Sequence, residues 1–137
     1  MTRLFIDTNV LLDVVLRRGQ FVQESARVID LGMRDKTQLV TTALTFATCV
    51  YVSRKSLGYD TSIECMKVLE KYFDIAPMND IQVHEALYSN MPDFEDMLQY
   101  HAALASGCDV IITRNVKHFP QQLIPVMTPD ECVKRIK

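Results

Sequence analysis

The chain has 137 residues, 48% hydrophobic and 23% charged, which is typical of one folded domain and excludes a disordered chain. Fifteen basic and seventeen acidic residues give a formal charge of −2, so any nucleic-acid partner has to be met by a local basic patch. Nothing approaches the ~20 apolar residues of a membrane helix, and polar residues interrupt the N-terminal apolar run, so we expect neither a membrane association nor a signal peptide.

An apolar run, Leu4-Phe5-Ile6, opens the chain and stops at Asp7. Because the run does not alternate with polar residues, it predicts a strand covered on both faces. A short helix that ends near Gly19 is predicted next. Apolar residues at helical spacing then predict a second helix, with Val22, Ala26, Ile29 and Met33 on its apolar side.

The middle of the chain repeats the order of strand and helix. The run Gln38-Leu39-Val40-Thr41-Thr42 predicts a second strand, and residues 43–56 return to a helical period that Gly58 ends. The apolar positions of this helix predict a buried side made of Leu44, Ala47, Val50 and Tyr51.

Capping residues mark three later helix starts. Thr61 with Glu64 and Asn79 with Gln82 have the capping-box spacing, and Thr128-Pro129-Asp130-Glu131 adds proline at the first helical position. Further strands are predicted at residues 73–76, 110–113 and 124–127. Strands that alternate with helices predict a single α/β domain over residues 1–137, with a mainly parallel sheet between two helical layers.

The four cysteines are far apart, without a C-x-x-C pair and without a histidine at ligand spacing. This pattern argues against a zinc site and predicts buried free thiols. Free thiols suit a reducing compartment, so we expect a cytoplasmic protein.

Polar residues follow the first and fourth predicted strands, at the ends where parallel sheets bind ligands. Asp7-Thr8-Asn9 follows the first, Thr113-Arg114-Asn115 follows the fourth, and Pro92-Asp93-Phe94-Glu95-Asp96 opens the helix before the fourth. Carboxylates gathered there would repel one another, and a hard cation such as Mg²⁺ or Mn²⁺ relieves that repulsion. Such an ion can also activate water and neutralise charge on a phosphodiester.

Each of these residues also has a structural interpretation of its own. Asp7 and Asp93 are suited to capping helices, and Asp96 is placed to complement a helix dipole. Asn115 is suited to binding its own turn. The histidines share no ligand spacing, and they are interpreted as surface or packed residues: His84, His101 and His118.

Taken in this order, the segments resemble the PIN-domain family, which includes VapC-like ribonuclease toxins. The resemblance runs from Leu4 to about Phe119, and its best stretches are residues 93–105 and 108–115. It implies a three-layer α/β/α fold, and an endoribonuclease that depends on Mg²⁺ or Mn²⁺. It also implies RNA as substrate, an antitoxin protein as partner and a homodimer.

The resemblance assigns roles to individual residues. Asp7 and Asp96 match the first and third of four acidic positions that bind metal and act in catalysis, and Asp93 resembles an accessory acid that assists them. Asn115 stands at the fourth catalytic position, where Asp is common. The residues that would orient water or contact the phosphates of the substrate are Asn9, Thr113, Arg114 and Lys117.

Two of the four expected acidic positions differ, since Thr48 stands where a Glu is usual and Asn115 where an Asp is common. Asn keeps an oxygen that can orient water, whereas Thr is too short to act as a base, and fewer charges weaken metal binding. Two hypotheses stay open: an active nuclease, and a degenerate domain that binds RNA or protein without cleaving. A third, a flavodoxin-like ligand-binding domain, lacks a glycine-rich phosphate loop after the first strand.

Overall fold

A computed structural model describes residues 1–136 of the chain. Within them, five strands form one sheet, and they are β1 (Arg3–Ile6), β2 (Gln38–Thr42), β3 (Phe73–Ala76), β4 (Val110–Ile112) and β5 (Val126–Met127). The strand order is β3-β2-β1-β4-β5, and every pairing is parallel. The predicted α/β fold is confirmed, and its sheet is parallel throughout.

Seven α-helices lie in the same residues: α1 (Thr8–Val15), α2 (Val22–Met33), α3 (Ala43–Leu57), α4 (Tyr59–Glu70), α5 (Asp80–Leu87), α6 (Phe94–Ala105) and α7 (Pro129–Arg135). Short 3₁₀ turns span Gly19–Phe21 and Val116–His118. None of the helices described over residues 1–136 has the length and apolar character to cross a membrane.

The sheet is covered on both faces, which explains the apolar run that forms β1. Leu4 and Ile6 pack into a core with helices α1 to α4 and α7, whereas Phe5 packs into a second core with α5 and α6. All three side chains are fully buried. Because β1 is central, its carboxyl end meets that of β4 in the middle of the molecule, and this is the point where Asp7 follows.

The predicted helix start at Thr61 is wrong. α4 begins at Tyr59, because Gly58 lies at a φ of +81° and leads directly from the end of α3 into α4. Glycine reaches this backbone region without the strain that a Cβ would add. The capping boxes predicted at Asn79 and Thr128 are confirmed.

The predicted buried side of α3 is also wrong in part, since Ala47 and Tyr51 are exposed. The residues of α3 that are fully buried are Thr45, Cys49 and Ser53. Two of these are polar and find hydrogen-bond partners: Thr45 with Thr42 and Gln99, and Ser53 with α4. Leu44 and Val50 are half-buried against the two cores, as predicted. Hydrophobic spacing missed the buried Thr45 and Ser53, because hydrogen bonds satisfy their hydroxyl groups inside the protein.

Candidate active site

Asp7 lies at the carboxyl end of the central strand and caps α1. Its side chain is buried, and the backbone N–H donates to the carbonyl of Ile112 at 3.0 Å, which extends the pairing of β1 with β4. Oδ1 accepts a hydrogen bond from the Thr8 N–H at 2.9 Å, and Oδ2 accepts one from the Thr113 hydroxyl at 2.7 Å. Both of these donors are neutral, so they orient the carboxylate without cancelling its charge.

Two further acids lie on the first turn of α6. Asp93 is the N-cap residue, and its Oδ1 accepts a hydrogen bond from the Asp96 N–H at 3.0 Å. This cap fixes the start of α6, and Asp96 on its first turn lines the same hollow as Asp7. The Asp96 side chain is 13% exposed, and its Oδ2 lies 2.8 Å from Nδ1 of His118.

These acids share one hollow of about 220 Å³. Five of the residues that the sequence predicted for the site line it: Asp7, Asn9, Asp93, Asp96 and Asn115. Its other lining residues are Thr8, Leu12, Leu44, Glu95, Gln99 and His118. The hollow is thus bordered by four carboxyl groups, and among the residues described no lysine or arginine lines it.

Three of the predicted substrate-contacting residues lie outside the lining of the hollow. Thr113 is buried behind Asp7, and its hydroxyl also accepts a hydrogen bond from the Asn115 N–H at 3.0 Å. Lys117 is exposed on the 3₁₀ turn that follows. Arg114 is directed to Asp13, with Nε and Nη2 at 2.9 and 3.1 Å from the two carboxylate oxygens.

A buried hydrogen-bond network that the sequence did not indicate lies beneath the acids. The Gln99 amide donates to the hydroxyls of Thr45 and Thr8 at 2.7 and 3.3 Å, and its oxygen accepts from Thr42 at 2.6 Å. This links α6 to α1 and to the start of α3. Thr48, which stands where the resemblance places a glutamate, is half-buried and does not line the hollow.

His118 also lines the hollow, although its position in the sequence predicted only a surface or packed histidine. Its neighbour Asp96 is 22 residues away in the chain, so no local spacing connects the two. One signal was available: His118 follows Asn115 by one turn, on a segment already assigned to the site. That spacing would have been informative only with the 3₁₀ turn at Val116–His118 known.

Burial and mutual repulsion raise the pKa values of the two central acids. For Asp7 the loss of hydration dominates and raises the pKa, against lowering by the hydrogen bonds from Thr113 and Thr8. For Asp96 burial comes first and the charge of Asp7 second, and together they raise the pKa to about 6. The hydrogen bond with His118 opposes this change. The fold therefore holds these carboxylates at a cost in electrostatic energy.

The donor atoms of the hollow fit a divalent cation. One ligand atom each from Asp93, Asp96 and His118 lies within 4.8 Å of the others, and Asp7 borders the same space. Each Asp7 oxygen keeps an unused lone pair after its hydrogen bond. Carboxylate oxygens are the ligands that Mg²⁺ and Mn²⁺ take, and a cation would favour the charged form of both acids, which burial and the neighbouring carboxylates disfavour.

Comparison with known proteins supports the assignment of the fold. The sequence model of the PIN domain family matches residues 3–117. The curated protein "Ribonuclease VapC1" of Aquifex aeolicus (strain VF5) is 28% identical over 138 residues, which cover 97% of this chain and 94% of that protein.

Solved structures share the same fold at low sequence identity. The DNA-bound VapBC of Salmonella typhimurium superposes with a TM-score of 0.68 at 14% identity, covering 94% of this chain and 99% of that one. VapBC-1 of nontypeable Haemophilus influenzae gives 0.66 at 19% identity, with coverage of 94% and 99%. A toxin–antitoxin complex from Klebsiella pneumoniae gives 0.65 at 22% identity, with coverage of 91% and 96%.

Proposed function

The chain belongs to the PIN-domain family, and from that premise we propose that it is a metal-dependent endoribonuclease and the toxin of a toxin–antitoxin pair. The observation that carries this proposal is the hollow that gathers Asp7, Asp93 and Asp96 at the carboxyl end of the central strand. Its acids have neutral hydrogen-bond donors or a histidine as partners, which leaves most of their charge available to a cation.

In this proposal Asp7, Asp93 and Asp96 hold Mg²⁺ or Mn²⁺. When bound, the ion lowers the pKa of a water molecule and offsets charge on the phosphodiester. Thr113 holds Asp7 in a fixed orientation by its hydroxyl. The same hydroxyl binds the backbone of Asn115 and so sets that side chain at the rim of the hollow, where its amide orients water or the scissile phosphate.

Electrostatics supports the requirement for a cation. A phosphodiester carries a negative charge, and the hollow presents the four carboxyl groups Asp7, Asp93, Glu95 and Asp96. Without a cation these groups would repel the substrate. Asn9 borders the hollow, and Lys117 is exposed two residues beyond Asn115, which suits contact with a neighbouring phosphate of the RNA backbone.

The second candidate is a degenerate domain that binds RNA or protein without cleaving. Thr48 and Asn115 favour it, because each replaces a carboxylate of the family pattern. Thr48 supplies no ligand to the hollow. Asn115 does line it, but as a neutral amide.

A cleavage assay distinguishes the two candidates. Purified protein is incubated with mixed single-stranded RNAs and Mn²⁺, Mg²⁺ or EDTA, beside a double variant, Asp7→Asn with Asp96→Asn. Asp60→Asn, an exposed acid of α4, is the matched control. We expect cleavage by the wild type and the control with metal, and none by the double variant.

Equal cleavage by the wild type and the double variant would identify a contaminant and overturn the proposal. Retention of RNA in a gel shift without cleavage under either metal would establish the binding module instead.

The proposed partners are an antitoxin and a second copy of the chain. The solved neighbours are described as toxin–antitoxin complexes or as VapBC assemblies, which is the reason for proposing the first. Expression of the chain alone should arrest growth, and co-expression of a small neighbouring gene should relieve the arrest and yield a stable complex. Light scattering should give twice the monomer mass for the isolated chain. A monomer mass would exclude the homodimer.

A further inference from the structure

His118 is the histidine that borders the acidic hollow in residues 1–136. It ends the 3₁₀ turn after β4, and its side chain is 45% exposed. Nδ1 lies 2.8 Å from Oδ2 of Asp96, and Asp93 contributes a third donor atom to the same cluster. The imidazole is therefore placed beside the acids rather than behind them.

The spacing of these donors matches one coordination sphere. Donors at about 2.1 Å from an octahedral ion are about 3.0 Å apart when adjacent and about 4.2 Å apart when opposite. The Nδ1–Oδ2 distance of 2.8 Å is close to the first value, and the whole cluster lies within 4.8 Å, close to the second. The three donors are therefore close enough to one another to serve a single ion.

We propose that His118 supplies an imidazole nitrogen to the metal of this site, together with Asp93 and Asp96, and thereby selects Mn²⁺ over Mg²⁺. The inference rests on the proposed function, since it assigns a ligand and a preference to the same metal site.

The selectivity follows from ligand chemistry. Mg²⁺ takes oxygen ligands and binds chiefly through carboxylate charge. Mn²⁺ also favours oxygen ligands, but as the first ion of the divalent transition series it gains more from a nitrogen donor than Mg²⁺ does. Thr48 and Asn115 remove two charges that an oxygen-only site would use. A nitrogen donor restores part of the lost affinity for a transition ion, and it restores much less of the affinity for Mg²⁺.

His118 has a competing role as a hydrogen-bond donor that orients Asp96 from outside the coordination sphere. Loss of either role weakens metal binding by about tenfold or more, so affinity alone does not separate them. Pulsed electron paramagnetic resonance of bound Mn²⁺ does, because it detects hyperfine coupling from a directly coordinated ¹⁴N.

The experiment uses the full chain loaded with Mn²⁺, beside His118→Gln and His118→Asp. His84→Gln is the matched control, because His84 lies in a different hollow between α5 and α6. We expect strong ¹⁴N coupling in the wild type and the control, and none in His118→Gln. Labelling the wild type with ¹⁵N-histidine should replace the ¹⁴N pattern, which identifies a histidine nitrogen as the ligand even if a variant fails to fold. His118 is the histidine that lines this hollow among the residues described.

Titrations of Mn²⁺ and Mg²⁺ give the second measurement. In His118→Gln the dissociation constant for Mn²⁺ should rise by about tenfold or more, with a smaller rise for Mg²⁺. His118→Asp should bind Mg²⁺ more tightly than the wild type does.

The outcomes separate the two proposals. Bound Mn²⁺ without ¹⁴N coupling in the wild type would overturn the role of His118 and leave the metal-dependent nuclease intact. Coupling to ¹⁴N that persists in His118→Gln would also overturn the role of His118 without affecting the proposed nuclease. Failure of the wild type and of His118→Asp to bind either ion would overturn both proposals together.

Discussion

Asp7 and Asp13 lie toward opposite ends of α1, and both are buried. They differ in whether a charged donor binds the carboxylate. Asp13 receives two hydrogen bonds from the guanidinium of Arg114 and one from the Ser25 hydroxyl at 2.9 Å. Asp7 receives hydrogen bonds from a backbone N–H and the Thr113 hydroxyl, and neither donor is charged. One carboxylate is thus matched inside the protein, whereas the other is oriented but not neutralised.

This difference distinguishes a buried charge that stabilises the fold from a buried charge that is available to a ligand. The Asp13–Arg114 pair joins α1 to the segment after β4, and Arg114 also lies 4.1 Å from the ring centroid of Phe21. The charge of Asp13 is thus balanced by another residue of the same chain. The charge of Asp7 helps to raise the pKa of Asp96. Carboxylates whose pKa values are perturbed in this way inside a hollow are typical of functional sites.

The largest effect should come from breaking the matched pair. Asp13→Asn leaves Arg114 largely buried without its counter-charge, and we expect a loss of about 3 kcal/mol in the free energy of unfolding. Urea titration measures it. Asp130→Asn, which breaks an exposed pair with Lys134, should change stability by less than about 0.5 kcal/mol. A loss at Asp13 no larger than that of the control would contradict the distinction.

The next effect is a pH dependence of stability that comes from Asp96. The pKa of Asp96 is about 6 in the folded protein against 3.8 ordinarily, so the folded state binds this proton more tightly than the unfolded chain. That stabilisation is complete below about pH 4 and is lost as the pH rises through about 6.

Relative to Asp96→Asn, the metal-free wild type should therefore lose about 2 kcal/mol of unfolding free energy between pH 4.5 and 7.5. Urea titrations in EDTA at the two pH values measure this difference. Parallel behaviour of wild type and variant would show that Asp96 carries no excess electrostatic energy.

A smaller effect is expected from neutralising Asp7 itself. Asp7→Asn keeps an oxygen for the Thr8 N–H and places an amide beside the Thr113 hydroxyl, while it removes a buried charge. The metal-free variant should be about 1 kcal/mol more stable than the wild type at pH 7.5. Added Mn²⁺ should raise the melting temperature of the wild type only. A variant less stable than the wild type would mean that the charge of Asp7 helps to hold the fold.

Local signals were enough to predict most of the fold. The unbroken apolar run Leu4-Phe5-Ile6 predicted the first strand. The capping boxes at Asn79 and Thr128 predicted two helix starts, because each depends on side chains only three residues apart. The start at Thr61 failed because Gly58 reverses the chain with its backbone alone, and a glycine does not show whether a loop or a helix follows it.

The site was predictable only where acids follow strand ends or cap helices. Asp13 and Arg114 are 101 residues apart, and nothing local in either segment indicates the pair. No sequence pattern distinguishes Gln99 from other helical residues, and its hydrogen-bond partners Thr42, Thr45 and Thr8 lie far from it in the chain. Such partners are set by the packing of α6 on the sheet, which residue spacing within one segment does not encode.

The smallest effect concerns Thr48 and Asn115, which replace two acids of the family pattern. The test asks which of the two replacements weakens metal binding. Asn115 lines the hollow, whereas Thr48 does not. Asn115→Asp should therefore tighten Mn²⁺ binding three- to tenfold, about 1 kcal/mol, because it adds a charge near the ion. Thr48→Glu should do less.

Calorimetric titration compares the two variants with Gln23→Glu, which adds the same charge on an exposed position of α2. A stronger gain from Thr48→Glu would place the metal nearer α3 than the acids of α6 indicate. The metal-free Asn115→Asp variant should also be less stable than the wild type, because the added carboxylate joins a cluster that already repels itself. Affinity gained with stability lost is the signature of a site whose charge the fold leaves for a cation to neutralise.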